Sequence, residues 1–230
     1  MTNQWDTYAD LYDKGIGSQG DTLHTKLIDP LIFQFLGDKK YDSILDAGCG
    51  NGYLLRKFAD QARSLVGIDA SKKLLAAATH NTSGLPNVST VLGDLGQNLP
   101  FDSLSFDVVI ANMTLQYLPA LEQFALESAR VLKKHGILIV VIDHPAHALF
   151  LRAQELVGKK NSKFLTSASY FLSGKRSKKS LWDKAILEYY HRPMESYINP
   201  FTKFLQLDRM IELSQDSESP RILGLRWKKV

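Results

Sequence analysis

The run Ser43-Ile44-Leu45-Asp46-Ala47-Gly48-Cys49-Gly50-Asn51-Gly52-Tyr53-Leu54-Leu55 constrains this chain more than any other segment: an apolar strand enters three alternating glycines and leaves as a helical pattern. Glycine has no Cβ, so the three together allow a tight turn and close approach of backbone to a ligand, and the start of the next helix offers unpaired N–H groups. The pattern is that of a nucleotide-type binding turn. Asp46, just ahead of the glycines, narrows the ligand, because a carboxylate there repels a pyrophosphate and favours a ligand carrying an ammonium and a sulfonium. The dinucleotide pattern G-x-G-x-x-G is not met, since Tyr53 stands where its third glycine would be. From this segment alone a dinucleotide enzyme and a glycine turn without ligand stay open.

The rest of the chain must bury that strand. At 230 residues, 44% hydrophobic and 23% charged, it has the composition of a soluble globular protein with room for one domain and an elaboration. No apolar run is long enough to span a bilayer, and Met1–Asp6 lacks the basic and apolar regions of a secretory signal. The single cysteine excludes an internal disulfide and a multi-thiolate zinc cluster, so no metal is expected and a cytoplasmic location is. The net charge of +4 is unevenly placed, with nine Lys and Arg against Glu155 and Asp183 between residues 152 and 184. That basic stretch reads as a solvated face or as a site for an acidic substrate, RNA or an anionic surface.

Between Ser43 and Asp143, strand-length apolar runs at about 43–46, 64–69, 88–92, 106–112 and 136–142 alternate with helical patterns, which argues for βαβ units and a parallel sheet. Ser71 reads as a helix N-cap, Gly136 as the end of the helix through Arg130–Lys134, and His135 as a residue at that helix C-terminus. Leu23, Leu27, Leu31 and Phe35 predict a leading helix, with a break near Asp29-Pro30. Trp5, Tyr8 and Tyr12 mark an aromatic helix ahead of a glycine-rich link. After Asp143 the alternation stops. Residues 144–198 read as an insertion of helices and loops, followed by a helix near 195–205 and a hairpin of strands at Leu205–Leu213 and Arg221–Trp227.

The segment Asp46-x-Gly48-x-Gly50-x-Gly52 resembles motif I of the class I S-adenosylmethionine (SAM)-dependent methyltransferases, and later segments extend the likeness. Leu99-Pro100-Phe101 through Ser105-Phe106-Asp107-Val108-Val109, and Arg130-Val131-Leu132-Lys133 through Gly136-Ile137-Leu138, are similar to segments of the methyltransferase type 11 group. The likeness covers most of residues 40–142 and 200–230. It implies an α/β, Rossmann-like fold with a seven-stranded, mostly parallel sheet and an antiparallel C-terminal strand. It also implies a helical lid at 1–37, a SAM-binding core at 40–143, a substrate cap at 144–198 and a closing helix and hairpin at 199–230, all in one domain.

For the cofactor, the resemblance implies Asp46, Gly48, Cys49 and Gly50 at the turn, and Asp69 with Ala70 at the ribose. Asp69 ends the second strand nineteen residues after Gly50, where an acid can accept both ribose hydroxyl protons of SAM or NAD alike. Asp94 and Leu95 are implied at the adenine, and Asn112 and Gln116 at the methionine end; Gln116 stands where many relatives carry histidine. Glutamine hydrogen-bonds but is no base near neutral pH. On the acceptor side, Asp143-His144-Pro145-Ala146-His147 leaves the fifth strand at its C-terminal end, where ligands of open α/β sheets collect, and Glu188-Tyr189-Tyr190-His191-Arg192-Pro193 resembles the Y-H-R-P stretch of small-molecule members. His144 and His191 are the candidate bases, and Tyr8, Tyr12, His147, Tyr190 and Arg192 the candidate substrate contacts. The function expected is methyl transfer from SAM, leaving S-adenosylhomocysteine (SAH), to a small-molecule acceptor. RNA methylation through the basic stretch and SAM binding without turnover are the alternatives. The acceptor atom and the oligomeric state are not legible.

Overall fold

The computed structural model describes residues 3–147, 168–179, 186–215 and 219–230. Its centre is a seven-stranded sheet of β1 (Tyr41–Ala47), β2 (Ala62–Asp69), β3 (Val88–Leu92), β4 (Phe106–Asn112), β5 (Leu132–Asp143), β8 (Gln206–Ser214) and β9 (Pro220–Lys228), in the spatial order β3-β2-β1-β4-β5-β9-β8. β1 to β5 run parallel, and β9 slots antiparallel between β5 and β8. The α/β fold and the C-terminal hairpin are therefore as expected. Ile44, Leu45, Val108–Ala111 and Leu138–Ile142 are all fully buried, as unbroken apolar strands must be when both sheet faces are covered.

One face carries α5 (Glu122–Val131) and α7 (Met194–Thr202), with Phe124, Phe201 and Trp227 in its core. The other carries α2 (Asp29–Leu36) and α3 (Tyr53–Lys57), through Leu31, Ile32, Phe35, Leu55 and Phe58. On β2 and β3 packs α4 (Lys72–Asn81), and α1 (Gln4–Ile16) lies against α4. The Ser71 hydroxyl accepts the Leu74 N–H, so the expected cap on α4 is present. A π-helical turn at His24–Ile28 precedes α2, leaving Pro30 in that helix's first turn, where a missing N–H is least disruptive.

Two readings of local sequence are corrected. Helix α5 stops at Val131, not at Gly136, because Leu132 already pairs with Phe106 and the register then shifts to Val108 opposite Ile137. His135 consequently lies in a left-handed kink of β5 (φ 63°), its N–H donating to the Lys229 carbonyl, and not at a helix C-terminus. The second correction concerns the segment after Asp143. Besides the short helix α6 (Ala168–Phe171) it contains an antiparallel hairpin, β6 (Gly174–Lys179) with β7 (Ile186–His191), where only helices and loops were expected. Among the described residues no helix is long and apolar enough to cross a membrane.

Candidate active site

The order of the strands places the site. β1 feeds β2 on one side, while the chain returns on its other side as β4, so the carboxyl ends of β1, β2 and β4 flank a topological switch point, where open α/β sheets bind ligands. Asp46, Asp69 and Asn112 end or nearly end those three strands.

Gly48, Gly50 and Gly52 all have positive φ, at 84°, 53° and 76°. A Cβ on Gly48 would sit 2.4 Å from the Thr114 hydroxyl, and one on Gly50 would sit 3.1 Å from the Tyr12 ring. Gly48 is thus favoured by conformation and by space, and Gly50 by conformation, with the Tyr12 ring packed closely against it. The N–H groups of Gly48 and Cys49 donate to the Ile68 carbonyl, and that of Gly50 to Asp69 Oδ2 at 2.8 Å. The other Asp69 oxygen accepts from Ser71 N–H at 2.8 Å. Burial pushes the Asp69 pKa up, against the pull of those backbone donors. Each Asp69 oxygen keeps a lone pair for a further donor.

Asp46 is 3% exposed, and neither of its oxygens has a hydrogen-bond partner. Burial, reinforced by the charge of Asp69, pushes its pKa up to about 8. Asn112 Oδ1 and both side-chain polar atoms of Gln116 are likewise buried and unpartnered. A set of buried polar groups left unsatisfied in this way calls for a polar ligand. Their types fit S-adenosylmethionine: a carboxylate and two amides suit an ammonium, a sulfonium and a carboxylate, and Asp69 suits ribose hydroxyls. Asp94 is exposed with Oδ1 on Gly96 N–H at 2.8 Å, beside the buried Leu95, while Ala70 is exposed. Cys49 is buried with its thiol pKa raised by that burial, which leaves it a backbone role in the turn.

Helix α1 lies across this turn. Asp13 accepts from Asn51 and Asn81 side chains at 2.8 and 3.3 Å, and Asp6 accepts from the Ser71 hydroxyl and Lys73 N–H. Tyr12, expected on the acceptor side, packs on Gly50, and the hydroxyl pKa is raised by burial and by Asp69 and Asp46. Tyr8 reaches the other way and donates to the Ile186 carbonyl of β7. Trp5 bridges the two sides, edge-on to Tyr12 and to Tyr117 of the 3-10 turn Leu115–Tyr117.

The histidines separate on geometry. His144 Nδ1 accepts the Ala146 N–H, so its Nε2 must carry the proton that Glu212 accepts at 2.7 Å. With both nitrogens committed, His144 holds the end of β5 to β8 and has no lone pair for a base. His147 follows in the turn, its N–H on the His144 carbonyl. His191 Nε2 donates to the Tyr170 carbonyl at 2.8 Å, which leaves the lone pair on Nδ1. Burial lowers its pKa, outweighing the carbonyl bond, so it is neutral near pH 7. Next to it, Tyr190 faces the Arg192 guanidinium.

One cluster has no counterpart in the sequence reading. Asp143, at the end of β5, binds both Lys178 of β6, at 2.6 Å, and Arg221 of β9. Burial alone would raise the Asp143 pKa, but the two cations hold it down at about 2. Lys178 also lies over the Tyr117 and Tyr189 rings, which anchors the hairpin to the rim of the site. Only tertiary proximity joins residues 143, 178 and 221, so no local spacing could reveal them.

Comparison with known proteins agrees with this geometry. Residues 45–140 match the family described as methyltransferase domain. A malonyl-(acyl-carrier protein) O-methyltransferase of Halalkalibacterium halodurans is 32% identical over 119 residues, covering 47% of this chain and 44% of that protein. The chain thus spans less than half the length of the curated relatives it matches. A putative S-adenosylmethionine-dependent methyltransferase of Listeria monocytogenes superposes with a TM-score of 0.71 at 22% identity, over 88% of this chain and 96% of that one. N-methyltransferase NodS of Bradyrhizobium japonicum, solved with S-adenosylhomocysteine, gives 0.65 at 16% identity, over 97% and 98%. The strand order and the solved structures give this chain the fold of these proteins, and its residues 45–140 carry the matched methyltransferase domain.

Proposed function

We propose that the protein transfers a methyl group from SAM to an oxygen, nitrogen or carbon nucleophile of a small molecule. The observation that carries this reading is Asp46: a buried carboxyl without a partner, at the mouth of a glycine turn, is matched by a cationic group that stabilises its ionised form, and a pyrophosphate offers none. SAM supplies a methyl carbon already activated by a sulfonium leaving group, so the protein's contribution is chiefly to align the reactants and exclude water. Alignment of this kind supplies about 7–11 kcal/mol in favourable cases. Gln116 and Asn112 would orient the methionine end, Asp69 the ribose, and Asp94 with Leu95 the adenine. Helix α1 and the β6–β7 hairpin would shut out water. His191, through Nδ1, is the base proposed for an acceptor that must lose a proton.

Against an RNA acceptor, Asn112-Met113-Thr114-Leu115 lacks the N-P-P-Y or D-P-P-Y type found in many nucleic-acid amino methyltransferases. In the described part of the basic stretch, Lys175 and Lys178 are also paired, with Glu188 and Asp143. Calorimetry tests the cofactor. SAH is expected to bind at sub-millimolar concentration and NAD is not; the reverse result would discard the reading. Asp69→Ala should weaken SAH at least about tenfold, the loss of roughly one charge-assisted hydrogen bond. Incubating labelled SAM with cell extract then identifies the acceptor, and SAM bound without any labelled product would favour a protein that binds SAM without turnover.

A further inference from the structure

Resting on the methyltransferase reading, we propose that the methyl acceptor is a carboxylic acid whose carboxylate is held by Arg192. Arg192 lies between β7 and the Pro193 cap of α7 and is only 9% exposed. Its Nη2 donates to the Leu118 carbonyl, while its Nη1 is buried with no hydrogen-bond partner. No carboxylate pairs with it among the described residues. Arg130, Arg221 and Arg226 pair with Glu127, Asp143 and Asp208, whereas Arg56 of α3, like Arg192, bonds a backbone carbonyl and keeps a buried N–H without a partner. The rings of Tyr190 and Tyr197, 5.3 and 5.9 Å from the guanidinium carbon, offset only part of the desolvation of a buried cation. What remains unsatisfied is one positive charge and one N–H edge.

The position of that edge favours the acceptor over the cofactor. Leu118 directly follows the 3-10 turn that carries Gln116, and β7 packs on this turn, so the guanidinium sits beside the proposed methionine end but on the cap side of it. The other cations at this rim, Lys178 and Arg221, share the carboxylate of Asp143. A single uncompensated guanidinium matches a monoanion, and its planar donors match a carboxylate. The flat faces of Tyr190 and Tyr197 beside it would bound the group carrying that carboxylate.

The test uses the full chain, with and without saturating SAH. Sodium formate, acetate and benzoate are titrated against sodium chloride of equal ionic strength, with benzamide as the uncharged counterpart of benzoate, and the thermal midpoint is followed. We expect a saturable rise with at least one carboxylate and none with benzamide. Arg192→Lys should weaken that response about tenfold or more, and Arg192→Gln should abolish it, while SAH affinity stays within about threefold of the parent. If every carboxylate behaves as chloride, or if Arg192→Lys responds like the parent, the proposal falls. Should Arg192→Gln not fold, the lysine variant decides. Failure of the parent to bind SAH would discard the methyltransferase reading instead, and the titration without SAH reports on Arg192 separately.

Discussion

Asp46 is a carboxyl held against its own ionisation, with burial and Asp69 pushing its pKa up to about 8. A cationic ligand stabilises the ionised form, so binding below pH 8 must expel a proton. We therefore predict that SAH affinity rises with pH and levels off near 8, with a slope approaching about tenfold per unit. Calorimetry in buffers of different ionisation enthalpy would read the released proton, and Asp46→Asn should remove both effects. A flat profile in the parent would refute the assignment. For the histidines, His191→Asn should cut turnover by about two to four orders of magnitude if the acceptor loses a proton. The parent's acid limb should then lie below the ordinary histidine value, because burial lowers the His191 pKa. His144→Asn should cost about 1–2 kcal/mol of stability and leave that limb in place. A shifted limb in His144→Asn would reverse the two roles. At this scale the glycine turn and the strand-end positions of Asp46, Asp69 and Asn112 were legible because they lie at fixed offsets along the chain. Arg192 facing Leu118, and Tyr12 on Gly50, were not, since both contacts join segments far apart in the chain.

Among the elements, the β6–β7 hairpin depends on Asp143 for its hold on the sheet. Removing that charge strands Lys178 and Arg221 at the rim. We predict that Asp143→Asn destabilises the protein by about 2–4 kcal/mol at neutral pH, somewhat below a fully buried pair because Lys178 keeps contact with water. The sign of the pH dependence follows from the depressed pKa. The contribution is present above the unfolded value of 3.8 and is lost as pH falls through about 2. Denaturant midpoints of parent and variant should converge over that window, and a gap that persists at pH 2 would exclude the ion pair as its source. This hairpin escaped the sequence because Gly174-Lys175-Arg176-Ser177-Lys178-Lys179 has no apolar alternation, and its inward residue is a lysine aimed at a carboxylate. The sheet strands were readable for the opposite reason: Ile44-Leu45 of β1, Val108–Ala111 of β4 and Leu138–Ile142 of β5 are apolar runs buried from end to end.

Across the whole molecule, the proposed cofactor site is closed by parts from both ends of the described chain. Gln4 exchanges hydrogen bonds with the Glu188 backbone, α1 holds the start of α4 through Asp6, and Trp5 leans on Tyr117. Ligand binding should therefore stabilise these parts together. At one hundred times the dissociation constant, SAH should add about 2.7 kcal/mol, and amide exchange should slow in α1 and β7 as well as at the ends of β1, β2 and β4. Protection confined to the strand ends would show that α1 does not share in binding.

The Asp6 contact has a further consequence, in time and not in affinity. The carboxylate of α1 accepts the Lys73 N–H at the start of α4, so lifting α1 both undocks a helix and returns a backbone donor to water. If methyl transfer occurs beneath that helix, spent cofactor leaves only as often as α1 lifts. Turnover then has a ceiling set by this motion, common to fast and slow acceptors alike, and a good acceptor reveals itself by an initial burst and not by a faster steady rate.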